Sequence, residues 1–193
     1  RGRSRRKPCG WLEAHLHRPA GYSIPKQEKK VMSMLEHSPS LRIHAVTCFL
    51  VQEGRVLLQE RPREKPWGGM LNGPGGKIEA GETSHEAIFR EVVEETALQL
   101  DGFEARGAIE LLLSAPKPMV LKVDIFLANS CSGEPVAREG HLAWYERDNL
   151  PFERMRPDQR YWLPAVLEGY SVAAKVQYTT ESLVVSKMGI QIR

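Results

Sequence analysis

From residue 41 onward the chain alternates between short apolar runs and polar punctuation. Ile43–Val51 (IHAVTCFLV) and Arg55–Gln59 (RVLLQ) are rich in aliphatic and β-branched residues, with Gln52-Glu53-Gly54 between them, and predict two strands joined by a turn. A charged loop punctuated by Pro and Gly, Arg61–Gly69, follows, and then the glycine-rich turn Gly73-Pro74-Gly75-Gly76. Ser84–Glu95 reads as a helix that starts at Thr83-Ser84 with Glu86 in its first turn. Phe103–Ser114 and Met119–Ala128 read as strands, the second with the alternating pattern VLKVDIFLA, and Ser132-Gly133-Glu134-Pro135 as a turn. Leu142–Glu146 predicts a short strand, Arg160–Leu167 a helix after Pro157-Asp158, and Ser171–Tyr178 with Ser182–Lys187 a terminal hairpin. No internal repeat is visible. Strands and helices in this uneven order indicate an α/β fold with a mixed sheet, not a regular array of βαβ units.

Charge divides the chain in two. Residues 1–40 hold nine Lys and Arg against three Glu, so the +3 of the whole chain leaves residues 41–193 at −3. The first segment is rich in Arg, Pro and Gly and weak in apolar periodicity; it reads as a flexible basic extension, or as an artefact of the gene start because residue 1 is not Met. A short helix over Lys26–Glu36 is the one element it predicts. The mildly acidic remainder, read as the folded domain 41–193, lacks the charge map of a nucleic-acid-binding domain. No apolar run is long enough to span a bilayer. Cys9, Cys48 and Cys131 are scattered and odd in number, which excludes a disulfide framework or a CxxC zinc site and fits a reducing, cytoplasmic setting. No phosphate loop of the GxxxxGK[ST] type, no GxSxG and no HExxH occurs.

The chemistry concentrates in Gly76–Leu98. On a helix turning about 100° per residue, Glu91, Glu94 and Glu95 fall on one face at i, i+3 and i+4. Three adjacent like charges destabilise a plain helix by a few tenths of a kcal/mol per pair. A hard divalent cation converts that repulsion into coordination, because it takes carboxylate and polyphosphate oxygens together. The plain alternative is a solvated acidic face. The glycine-rich turn before the helix and Arg90, placed to brace the carboxylates through paired hydrogen bonds, favour the metal site.

The pattern G-x5-E-x7-R-E-V-x-E-E-x-A-L resembles the Nudix box, with Ala97 where the family has Gly. Asn72-Gly73-Pro74-Gly75-Gly76-Lys77, Trp144 and Leu150-Pro151-Phe152 through Pro164 narrow the resemblance to the MutT-like hydrolases of oxidised purine nucleoside triphosphates. It implies a Nudix-type α/β/α sandwich, with Mg²⁺ (or Mn²⁺) held by the Gly75 carbonyl, Glu91, Glu94, Glu95 and the outlying Glu139. Glu94 or Glu139 would take the proton from the attacking water, with Glu82 and Arg90 holding loop and helix together and Lys77 meeting phosphate. It matches Asn72 to a base-binding asparagine and Asp158 to the first of two acids that read the base edge. The second acid is Gln159 here, and the base-stacking tryptophan is Arg156. A glutamine amide offers a donor and an acceptor without protonation. A guanidinium can stack on a base. Trp67 would supply a replacement aromatic face, or else act as a hydrophobic plug.

The implied activity is hydrolysis of 8-oxo-dGTP or a similar triphosphate to monophosphate and pyrophosphate, as in nucleotide-pool sanitation, by a monomer or weak homodimer. The alternatives are ADP-ribose, a dinucleotide or a capped RNA end as substrate, and a non-catalytic nucleotide-binding module. Ala97 is expected to cost on the order of 1 kcal/mol if that residue takes the left-handed conformation usual after a helix.

Overall fold

In a computed structural model of the chain, the described residues are 12–13, 30, 33, 41–65, 67–113, 118–178 and 185–193. The expected helix Lys26–Glu36, most of the basic extension and Cys9 therefore lie outside the described residues.

The strands are β1 (Leu12–Glu13), β2 (Arg42–Gln52), β3 (Arg55–Glu60), β4 (Leu71–Asn72), β5 (Gln99–Leu113), β6 (Met119–Ser132), β7 (Leu142–Glu146), β8 (Val172–Tyr178) and β9 (Val185–Ile192). Helices α1 (Ser84–Thr96) and α2 (Gln159–Leu167) and two short 3-10 turns, Arg147–Asn149 and Phe152–Arg154, complete the described elements. The strands join in one sheet ordered β1-β9-β8-β5-β6-β2-β3-β4, with β7 also on β3. β2 runs parallel to β6 and β5 parallel to β8, while the other pairs are antiparallel. The sheet is therefore mixed.

Strand periodicity places the two helices on opposite faces. On β2, Val46, Cys48 and Leu50 point to one side and pack with Ala87, Ile88 and Val92 of α1, while Phe49 points to the other and packs with Trp162, Leu163 and Val166 of α2. β2 has apolar side chains on both faces because both are covered. The result is the α/β/α sandwich expected. Among the described residues no helix is long and apolar enough to cross a membrane, and Cys48 and Cys131 are free thiols.

Local signals set the position of α1. Thr83 caps its N-terminus in a reciprocal box with Glu86, Oγ1 accepting from the Glu86 N–H at 3.2 Å and the Glu86 carboxylate from the Thr83 N–H at 2.8 Å. At the other end Ala97 adopts φ 61°, ψ 5° and donates its N–H to the Val93 carbonyl at 3.0 Å. The residue after the helix is left-handed as expected, without the glycine that favours it.

Several boundaries differ from the sequence expectation. β5 starts at Gln99, not Phe103, because Leu98 and Leu100 are buried under α1 and pull the chain straight into the sheet. β6 runs on to Ser132 because Asp101 accepts from the hydroxyls of Ser130 and Ser132 at 3.1 Å each, pairing the irregular ends of the two strands. β9 passes Lys187 and Gly189 to Ile192, with Met188 and Ile190 buried and Ser171 and Arg193 exchanging both backbone bonds at 2.9 Å. β1 and β4 carry no periodic signal at two residues each.

Replacing Ala97 with Gly should stabilise the protein by about 1 kcal/mol, since an L-residue is strained in the left-handed region. Urea denaturation of Ala97→Gly, with an unchanged m-value, measures it.

Candidate active site

The segment after β4 lies along the edge of β2. Val46 and Cys48 donate their N–H groups to the carbonyls of Gly76 and Pro74 at 2.9 Å, and Ile78 donates to His44 O at 3.0 Å. A Cβ on Gly75 would lie 2.2 Å from the Val46 carbonyl oxygen, so only glycine lets the backbone come this close. A Cβ on Gly76 would fall 2.2 Å from the Glu91 carboxylate. The glycines thus make room on one side for the sheet and on the other for an acidic helix.

Across that gap, α1 presents its carboxylates at different depths. Glu95 is 7% exposed and accepts from the Gly75 N–H at 2.9 Å. Burial raises its pKa to about 7; the Gly75 bond opposes the shift, and the charges of Glu91 and Glu139 add to it. Glu91, half-buried, is also raised, by burial first and then by Glu94 and Glu139, against Arg90. Glu94 is turned outward, with its side chain 59% exposed. Glu139, from the segment between β6 and β7, is engaged by the Lys65 ammonium, which holds its carboxyl below the usual range.

Arg90 organises the outer side of this group. Its Nε and Nη2 grip Glu82 at 2.7 and 2.9 Å, Nη1 reaches Glu91 at 2.9 Å and Glu94 at 3.2 Å, and Nη2 also reaches the Lys77 carbonyl at 3.1 Å. Every guanidinium N–H is used. Glu82 is held down at about 2 by that grip and by the Glu79 N–H at 2.9 Å. The structure thus brings together Arg90, Glu82, Glu91 and Glu94, four of the residues singled out in the sequence. Lys77 is exposed.

Among the described residues no three His, Cys, Asp or Glu are gathered closely enough to ligate one ion. Glu94 leans on Arg90 and Glu139 on Lys65, so the expected ligands are neighbours, not an assembled shell. The donor chemistry nonetheless fits a hard divalent cation. The candidate ligand atoms are oxygens only, and Glu139 raises the cost of ionising both Glu91 and Glu95, as Glu91 does for Glu95, a cost that a cation between them would remove.

The second half of the site is a row of side chains leading from the glycine segment to α2. Thr47 Oγ1 donates to the Gly73 carbonyl at 3.1 Å, Asn72 Nδ2 donates to Thr47 Oγ1 at 3.2 Å, and Gln159 Nε2 donates to Asn72 Oδ1 at 2.7 Å. A backbone carbonyl only accepts, so it sets the direction of every bond in the row. The last atom, Gln159 Oε1, is a buried acceptor without a partner among the described residues.

Asp158 departs from the expected base-reading geometry. It is fully buried and takes four donors: Arg156 Nε at 3.0 Å, Arg156 Nη2 at 3.2 Å, Trp162 Nε1 at 2.8 Å, and the Tyr178 hydroxyl. Four donors saturate a carboxylate, and the Arg156 charge with these bonds holds its pKa low despite burial. No lone pair remains for a base. Arg156 is buried with it, its guanidinium 5.5 Å from the centre of the Trp67 ring. Trp67 also meets Tyr178 edge-on at 6.3 Å, so the indole packs as a plug on the Arg156–Asp158 pair.

Two side chains missed in the sequence line the same cleft. Arg61 and Lys65, from the turn between β3 and β4, face Asn72, Gly75, Glu95 and Glu139 around a narrow cavity of about 10 Å³. Their only sequence signal was basic charge in a loop read as connecting.

The NUDIX domain profile matches residues 41–166, and the chain belongs to that family, as a Nudix hydrolase of the MutT-like branch. It is 36% identical over 121 residues to an oxidized purine nucleoside triphosphate hydrolase of Danio rerio, covering 62% of this chain and 76% of that one. The protein of the same name from Mus musculus is 30% identical over 139 residues, covering 72% and 88%. The crystal structure of a MutT protein from Bacillus halodurans superposes with a TM-score of 0.68 at 25% identity, over 77% of this chain and 97% of that one. Nudix hydrolases generally use divalent metal ions.

The raised Glu95 carboxyl makes a signed pH prediction. A folded-state value above the ordinary 4.5 adds stability below pH 4.5 that is lost as pH rises through about 7. Glu95→Gln, which keeps an acceptor for Gly75, should therefore be more stable than the parent at pH 8 in chelator, by about 1–3 kcal/mol. Equal stability of the two proteins across pH 4–8 would contradict the burial of that charge.

Proposed function

We propose that this chain hydrolyses oxidised purine nucleoside triphosphates, such as 8-oxo-dGTP, to the monophosphate and pyrophosphate with Mg²⁺. The observation that carries the reading is the pairing, on one glycine-lined edge, of a buried carboxylate cluster with a directed amide row. Glu91, Glu95, Glu139 and the Gly75 carbonyl would hold Mg²⁺, with Glu94 beside them. The ion, when bound, neutralises charge developing on the phosphate oxygens and lowers the pKa of water.

The protein's own groups divide the remaining work. Arg90 has no free N–H for substrate, so it acts by fixing Glu91 and, through Glu82, the loop before α1. Glu94 and Glu139 are the two exposed carboxylates beside the cleft, and one of them accepts the proton of the attacking water. Arg61 and Lys65 supply positive charge on the wall that faces the polyphosphate. Lys77, further out, meets phosphate as well.

At the other end, Gln159 Oε1 presents an acceptor to an N–H on the purine edge, with Asn72 behind it. The amide offers this acceptor without a protonation step of its own. Asp158 and Arg156 support this end from below, and Trp67 covers them. The names of the Danio and Mus relatives support oxidised purines as the substrate class.

The test is kcat/KM for 8-oxo-dGTP, 2-hydroxy-dATP, dGTP and ADP-ribose, with and without Mg²⁺. The expected result is Mg²⁺-dependent turnover with at least about tenfold preference for an oxidised purine over dGTP, or 1.4 kcal/mol of discrimination. Glu95→Gln should lose several orders of magnitude in kcat. ADP-ribose in front, or no preference among purines, would overturn the substrate assignment.

A further inference from the structure

Lys65 and Glu139 reach each other across the cleft from different parts of the chain. Lys65 stands on the turn after β3, its backbone held by N–H donation to the Pro62 carbonyl at 3.0 Å and by acceptance from the Gly68 N–H at 2.9 Å. Glu139 comes from the segment before β7. That segment is tied to the end of α1 by the Val136 and Arg138 N–H groups, which donate to the Thr96 and Glu95 carbonyls at 2.8 and 3.1 Å. Both side chains are about 40% exposed, and neither is held by burial. The two segments already meet at the Glu60 N–H, which donates to the His141 carbonyl at 2.8 Å, and the ion pair closes the gap beyond that bond.

The space it spans is too small for the proposed substrate. Nucleotide-sized ligands fill pockets of about 300–1,000 Å³, against a cavity of only about 10 Å³ here. A triphosphate needs more room than this, and the Lys65–Glu139 contact, made by two part-exposed side chains, is one that side-chain motion alone can release. The ammonium also stands where a cation is needed, against a carboxylate of the Glu91–Glu95–Glu139 group. A divalent ion bound to the same carboxylate would repel it at short range. A polyphosphate entering the cleft offers the displaced ammonium a new partner of higher charge.

We propose that Lys65 is a positioning residue that competes with the divalent cation for Glu139, latching the cleft until metal and polyphosphate arrive together. On their arrival Lys65 exchanges the carboxylate for phosphate. The latch makes metal binding and nucleotide binding mutually reinforcing: each supplies the other with the partner that Lys65 or Glu139 gives up. This inference rests on the metal reading above.

Calorimetric titration of the full chain with Mn²⁺ alone, without nucleotide, tests it on the parent, Lys65→Met and Glu95→Gln. Thermal melts in chelator verify that each variant is folded. Lys65→Met is expected to bind Mn²⁺ about two- to fivefold more tightly than the parent, the scale of an exposed ion pair, and Glu95→Gln more weakly. Lys65→Met should also show a raised KM for the triphosphate, with Lys65→Arg restoring both values toward the parent. Unchanged or weaker Mn²⁺ binding by Lys65→Met, with Glu95→Gln weakened, would overturn the latch and leave the metal site standing. Unchanged binding by Glu95→Gln would overturn the metal reading itself, and the latch with it.

Discussion

The hydrogen bond from the Gly75 N–H to Glu95, 2.9 Å long and buried, fixes how close an acidic helix lies to the sheet. It draws the end of α1 onto a segment that is itself bonded along β2. Glycine is required there because any Cβ would meet the β2 backbone or the Glu91 carboxylate. That approach sets the depth of Glu95 and Glu91, the outward turn of Glu94, and the distance across to Glu139.

The contrast between two buried charged groups gives the site its meaning. Around Asp158, every lone pair has a donor and the charge has a buried partner in Arg156. Such a group is costly to disturb and offers nothing to a ligand. Around Glu95 the neighbours are other carboxylates, and the charge is only partly answered by Gly75 and Lys65. An under-compensated cluster beside a cleft is the arrangement expected of a place where a cation works. The same logic applies to the amide row, which runs in one direction from the Gly73 carbonyl and ends on an acceptor that no group among the described residues satisfies. Arg90 belongs with Asp158 in this respect, since its saturated guanidinium holds the machinery without taking part in it.

Much of this was legible in the chain. Thr83-Ser84 with Glu86, the i, i+3, i+4 glutamates and the left-handed residue at Ala97 are local features, set by a few neighbouring residues, and they appear where the sequence places them. The β2–β3 pair and the α/β/α layering follow from periodicity in the same way. What was not legible depends on contacts between residues far apart. Asp158 is claimed by Arg156 and Trp162 on its own segment, but Tyr178 reaches it from β8, and no spacing announces that. Lys65 finds Glu139 across 74 residues. β4 and the start of β5 are fixed by pairing and by burial under α1, where two-residue or irregular strands leave no pattern to read.

The most direct test of a carboxylate cluster that waits for a cation is the change in thermal unfolding midpoint on adding saturating Mg²⁺, measured in parallel at pH 8 and pH 5. With Glu95 and Glu91 ionised beside Glu139, the ion removes the repulsion on those two as well as binding to the cluster. The account therefore predicts clear stabilisation at pH 8 that shrinks strongly at pH 5, where protonation has already relieved the strain. No shift at pH 8, or the same shift at both pH values, would contradict it.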